Sequence, residues 1–159
     1  MGACYSTSAI FKVEDFDGLR NKLVSIIRDG NKTDRYGFVN WCIEERLGTT
    51  PIEDVSIETL LRLVFTGFNQ NNSDTVEAAI CGGYSIDAGF DASYGWDWVM
   101  CDVFEDICPY LADGSWLYVE PDDYYYEYEC RGHKSVLTKS YEDGELWEEK
   151  KTSEGGTKL

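Results

Sequence analysis

The sequence predicts an α+β fold: an antiparallel sheet of about four to six strands with about four helices packed mainly on one face. Two observations predict it. Residues 96–111 repeat apolar side chains at helical spacing (Trp96, Val99, Met100, Val103, Phe104, Ile107, Cys108, Leu111), the stripe of a helix packed on a core. After Asp113-Gly114 the period falls to two, and four strands follow at close spacing, as in an antiparallel sheet.

Each element has its own signal. Residues 5–13 alternate small polar and apolar side chains and form a first strand. Glu14-Asp15 favours a helix start, because acids are stabilised at the positive end of the helix dipole. Phe16, Leu19, Leu23, Ile26 and Ile27 are the buried stripe of that helix, which stops at Asp29-Gly30-Asn31. A second helix is expected over 35–47, burying Phe38, Val39, Trp41, Cys42 and Ile43. A turn follows over 51–55, and Ser56 caps a third helix with Leu60, Leu61, Val64, Phe65 and Phe68 on its buried side. Residues 69–74 read as a polar loop. Residues 75–85 read as a strand in which Gly82-Gly83 marks a bulge or a close backbone approach. The Gly- and Asp-containing run 86–94 reads as a loop into the central helix. The remaining strands are expected over 115–120, 124–131, 134–141 and 145–150. Turns at Pro121-Asp122-Asp123, Arg131-Gly132-His133 and Glu142-Asp143-Gly144 join them.

With 159 residues, the chain reads as one domain over 1–151 with a flexible tail over 152–159, large enough to bury roughly two-thirds of its unfolded surface. The 43% hydrophobic and 14% aromatic content places it among folded proteins. A net charge of −16 argues against direct nucleic-acid or anionic-membrane binding, which needs Lys and Arg to displace counterions. The placement of that charge is more informative. Residues 1–50 and 131–159 are each neutral, whereas residues 51–130 hold Arg62 as their only base against 17 acids. Clustering of this kind adds self-repulsion that solubility alone does not require.

Several of the six cysteines lie within apolar patterns and no secretory segment precedes them, which predicts buried free thiols in a reducing cytoplasm. No apolar run approaches the length of a membrane span. Met1-Gly2-Ala3-Cys4-Tyr5-Ser6 matches a myristoylation pattern, but it runs straight into the first strand and no basic cluster follows to support an acyl anchor. Chemistry is sparse. His133, the one histidine, falls in a turn, and Cys130 and His133 have ligand-like spacing without a second pair to complete a zinc site. No phosphate-cradling glycine loop or calcium-loop register is present, and nothing selects two catalytic acids from 30. The expectation is a non-enzymatic protein with no metal and no cofactor.

What remains is an acidic exterior. Asp97, Asp102, Glu105 and Asp106 fall opposite the apolar stripe of the central helix. Along 124–130, Tyr124, Tyr126, Tyr128 and Cys130 alternate with Tyr125, Glu127 and Glu129. With the first set inward, Tyr125, Glu127 and Glu129 project outward beside Glu120, Asp122 and Asp123. One reading is a solvated surface that serves solubility. The sharper one is that these carboxylates stand where phosphates of a duplex would, with Trp116, Tyr118 and Tyr125 adding aromatic contacts.

Two runs carry a resemblance. Asp91-Ala92-Ser93-Tyr94-Gly95-Trp96-Asp97-Trp98 and Ile107-Cys108-Pro109-Tyr110-Leu111-Ala112-Asp113-Gly114-Ser115-Trp116-Leu117 resemble the helix-to-strand junction of small acidic proteins carried by phages and mobile elements of gut bacteria. Cys108 stands where those often have Ala. The likeness covers roughly residues 90–130 and brings no catalytic motif. It implies an inhibitor of the anti-CRISPR or anti-restriction type, acting in the cytoplasm of an infected bacterial host. The implied partner is a basic nucleic-acid-binding protein such as a Cas nuclease complex. The alternative is a phage or mobile-element interaction module that binds a protein partner through its aromatic surface.

Overall fold

The computed structural model describes residues 2–29, 47–66, 75–79 and 82–150. The helix expected over 35–47 falls, but for Leu47, outside the described residues, as do the 69–74 loop and the 152–159 tail.

Strand β1 (Gly2–Lys12) organises the sheet. Its side chains alternate without a slip: Ala3, Tyr5, Thr7, Ala9 and Phe11 are buried, while Gly2, Cys4, Ser6, Ser8, Ile10 and Lys12 point to the other face. A strict period of two fixes one buried face, because a one-residue slip would turn every apolar side chain to water. On one side β1 pairs along its whole length with β3 (Gly83–Ser93), from Gly2 opposite Ser93 to Lys12 opposite Gly83. On the other side it pairs with β4 (Trp116–Pro121). With β2 (Thr75–Ala79), β5 (Tyr125–Arg131), β6 (Lys134–Glu142) and β7 (Glu145–Glu148), the described residues form one sheet of seven strands in the order β2-β3-β1-β4-β5-β6-β7. Every neighbouring pair is antiparallel. The α+β class is as the sequence predicts, with more strands than expected.

The extra strand corrects the reading of 86–94 as a loop. Tyr84, Ile86, Ala88 and Phe90 are buried, whereas Ser85, Asp87, Gly89 and Asp91 face outward. Gly and Asp therefore occupy only the solvent side of a paired strand, where they interrupt nothing. Gly83 is the close approach expected at Gly82-Gly83: a Cβ there would lie 2.0 Å from the carbonyl oxygen of Phe11.

Three helices are described, α1 (Phe16–Asp29), α2 (Ile57–Phe65) and α3 (Trp96–Ile107), all packed on the face that holds Phe11. Asp15 Oδ1 accepts from Gly18 N–H at 2.9 Å at the start of α1, and Ser56 Oγ accepts from Thr59 N–H at 3.2 Å at the start of α2. Phe16, expected in the buried stripe of α1, is instead 43% exposed, because as the first residue of the helix it lies at the rim against Tyr84. Phe11 of β1 contacts both Phe65 of α2 and Phe104 of α3, at 5.3 and 5.7 Å between ring centroids. The Trp96 indole donates to the Val64 carbonyl at 2.8 Å. Fully burying such side chains contributes about 1.5–3 kcal/mol each, so this layer carries the fold.

The junction from α3 into β4 is fastened by Ser115. This fully buried residue donates its hydroxyl to the Ala112 carbonyl and accepts from Lys12 N–H, both at 2.9 Å. Gly114, at φ +89, lets its N–H reach the Cys130 carbonyl at 3.0 Å. The β5–β6 and β6–β7 turns have left-handed backbone at both Gly132-His133 and Asp143-Gly144, the conformation that two-residue hairpins require, and the longer β4–β5 turn has it at Asp122.

Candidate interaction surface

The two faces of the sheet differ in kind. Helices cover one; no described helix covers the other. Register places on the uncovered face Cys4, Ser6, Ser8 and Ile10 of β1 and Asp87 and Asp91 of β3. The same face continues with Trp116, Tyr118 and Glu120 of β4, Tyr125, Glu127 and Glu129 of β5, and Lys139 and Tyr141 of β6. On β1 and β3 this face is mostly small and polar. From β4 to β6 it is aromatic and acidic.

The sequence-predicted acids divide between the two sides. Glu120, Glu127 and Glu129 lie with Tyr125 on the uncovered face, as expected. Asp122 and Asp123 sit at the exposed β4–β5 turn. Asp122 is also structural there: its Oδ1 accepts from Cys4 N–H at 3.0 Å, and its own N–H donates to the Cys4 carbonyl. Asp102, Glu105 and Asp106 belong to α3 in the covering layer, and none of the three is without a partner. The acidic exterior expected from the sequence is thus divided into two groups, one on α3 and one on the uncovered face of the sheet.

Asp97 is the larger correction. It is 2% exposed, not on the exterior. The buried arc is wider than the apolar stripe predicts, because α3 packs on the sheet through Met100 and on α2 through Trp96, which brings 97 inside. Burial pushes the Asp97 carboxyl above the usual aspartate range, against the opposing pull of backbone N–H groups at the helix start. Among the described residues its Oδ2 has no hydrogen-bond partner. Such a group contacts no partner protein.

On the uncovered face three rings form a ladder. Tyr118 and Tyr125 lie 5.5 Å apart between centroids, and Tyr125 stacks on Tyr141 at 5.9 Å with planes 17° apart. Tyr118 donates its hydroxyl to Glu120 Oε1 at 2.6 Å. Burial, followed by that hydrogen bond, raises the phenol above its usual value. Glu127 stands opposite Tyr118 on one side and Lys139 on the other. Glu129 accepts from Arg131 at 2.8 Å, and Arg131 also donates to Glu149 at 2.7 Å, which lowers the Glu149 carboxyl below its usual range. Basic residues from the neutral end of the chain therefore offset part of the acidity. Among the described residues Glu120 and Glu127 form no ion pair.

No family model, curated protein or solved structure matches this chain.

The Cys130–His133 spacing does not bring two ligands together. Cys130 is fully buried, its thiol directed to the Cys108 and Leu111 carbonyls. His133 lies in the exposed β5–β6 turn, 2.8 Å from Glu14. Among the described residues no group of three or more His, Cys, Asp or Glu side chains forms a metal cluster, and no helix is long and apolar enough to cross a membrane. Cys4, Cys101, Cys108 and Cys130 are free thiols, the last three buried. Burial pushes the Cys101 thiol up to about 12, which makes it inert at neutral pH.

The sequence reading missed Tyr141, Lys139, Asp87 and Asp91 on this face. Asp87 and Asp91 were discoverable from the alternation of Tyr84, Ile86, Ala88 and Phe90. Tyr141 depended on a β-bulge between Glu127 and Tyr128 that shifts the β5–β6 register, and alternation alone does not reveal a bulge.

Proposed function

We propose that this chain is a non-enzymatic inhibitor whose uncovered sheet face occupies a basic, nucleic-acid-binding surface of a partner protein, such as a Cas nuclease complex. One observation carries the reading. Glu120, Glu127 and Glu129 stand among Trp116, Tyr118 and Tyr125 on rigid strands, on a face that no described helix covers. Carboxylates two residues apart on one strand are spaced by about 7 Å, so the face presents a fixed array of negative charge. Charge steers a basic partner to it, and the rings supply the desolvated contacts that charge alone lacks.

The same rings favour a second reading, in which a phage or mobile-element interaction module docks through its aromatic surface with charge incidental. Capture of partners from bacteria carrying CRISPR or restriction effectors, at low and at high salt, separates the two. The inhibitor reading predicts a nucleic-acid-binding partner that is released by salt and displaced by duplex DNA. A partner that stays bound at high salt, or that binds DNA and this protein together, contradicts it.

A further inference from the structure

We propose that the Tyr118–Tyr125–Tyr141 ladder is a docking track for arginine side chains, so that the partner is engaged through an arginine-bearing segment. The proposal rests on the reading of the uncovered face as the site for a basic partner, and it adds which cation is read and by which residues. Adjacent rings lie 5.5 and 5.9 Å apart across β4, β5 and β6. Such a row sets several π faces, the side of a ring that attracts a cation, close together along one line. Carboxylates flank the row: Glu120 is hydrogen-bonded to Tyr118, and Glu127 is paired in register between Tyr118 and Lys139.

The molecule already places one of its own cations there. Lys139 Nζ lies 5.9 Å from the centroid of Tyr125, at the edge of the range in which a ring attracts a cation, about 6 Å. Lys139 forms no ion pair among the described residues. It is therefore a loosely held occupant that a better-matched cation can replace. Guanidinium is better matched than ammonium on two counts. Its plane stacks on a phenol ring while its edge forks onto a carboxylate, and it is the more weakly hydrated of the two. A ring with a carboxylate beside it fits both properties at once. Ammonium, as a compact and more strongly hydrated charge, meets the ring without stacking on it and cannot fork onto the carboxylate.

Calorimetric titration of the folded protein with nonaarginine and with nonalysine peptides at low salt tests this. The expected result is that nonaarginine binds about tenfold more tightly. Tyr125→Ala and the bulkier Tyr125→Leu should both reduce it to the nonalysine level, and Lys139→Ala should tighten it. The Leu variant keeps an apolar side chain on the strand, so a folding defect and a lost ring are separable by thermal midpoint. Equal affinity for the two peptides, or an arginine preference that survives both Tyr125 changes, overturns the ladder while leaving the wider reading of the face intact. Failure of both peptides to bind contradicts that wider reading as well.

Discussion

Strand β5 serves both faces of the sheet, and its two sets of side chains are used differently. Inward, Tyr126 is buried and donates its hydroxyl to Glu142 Oε2 at 2.8 Å, Tyr128 adjoins Cys101, and Cys130 is sealed against the α3–β4 junction. Burial raises both phenols, which leaves them neutral hydrogen-bonding groups. Outward, Tyr125 rests on two other rings and under Lys139, while Glu127 and Glu129 reach solvent at partial exposure. The acids divide in the same way. Asp97 is enclosed and held toward its neutral form, whereas Glu127 is half-exposed. Residue type therefore does not distinguish scaffold from surface in this protein; the parity of a residue along its strand does.

If the covered face alone carries the fold, its disruption should dwarf anything done to the other. Phe104→Ala removes a fully buried ring in contact with Phe11, and denaturant unfolding should show a loss of about 3–5 kcal/mol. A loss below about 1 kcal/mol would mean that the core is not where it is described. Ser115→Ala should come next. It leaves the Lys12 N–H without its 2.9 Å acceptor beneath the α3–β4 junction, a defect of about 1–3 kcal/mol in the same assay.

Asp97 sharpens the comparison through pH. Its folded carboxyl sits above the ordinary aspartate value, about 3.9, so the folded state keeps a proton that the unfolded chain releases. The stability this provides is complete at low pH and is lost as pH rises through the folded value. Asp97→Asn stays neutral throughout. It should raise the thermal midpoint at neutral pH, with the gain shrinking toward about pH 4. A midpoint that falls at neutral pH would show that the carboxylate is satisfied where it lies. Tyr125→Ala, on the uncovered face, should have the smallest effect, below about 1 kcal/mol in the same unfolding assay, while removing the arginine preference.

Much of this arrangement is legible in the sequence because period-two and helical stripes are direct consequences of burial. The alternation in β1 and β5 and the Ser56 cap survive folding unchanged, and the stripe from Trp96 to Ile107 stays buried but gains Asp97. The failures have specific causes. In β3, Asp87, Gly89 and Asp91 look like loop residues because loops favour them, yet they pair with small neighbours on β1 (Ser8, Ser6 and Cys4). Asp97 looked exposed because a helix packed against a single surface would expose it, and α3 is enclosed on two sides. The Asp113-Gly114-Ser115 junction proves to be a structural fastening, with Asp113 Oδ1 accepting from Gly132 N–H at 2.8 Å.

The most direct test of the difference between the faces is a paired neutralisation read out as capture of a DNA-displaceable basic partner. One variant carries Glu120→Gln, Glu127→Gln and Glu129→Gln; the other carries Asp102→Asn, Glu105→Gln and Asp106→Asn; thermal midpoints confirm that both fold. The sheet-face variant should weaken capture by about tenfold or more at low salt, and the helix variant should match the unmodified protein. Loss of capture by the helix variant alone, or no loss in either, would contradict the assignment of the uncovered face as the binding surface.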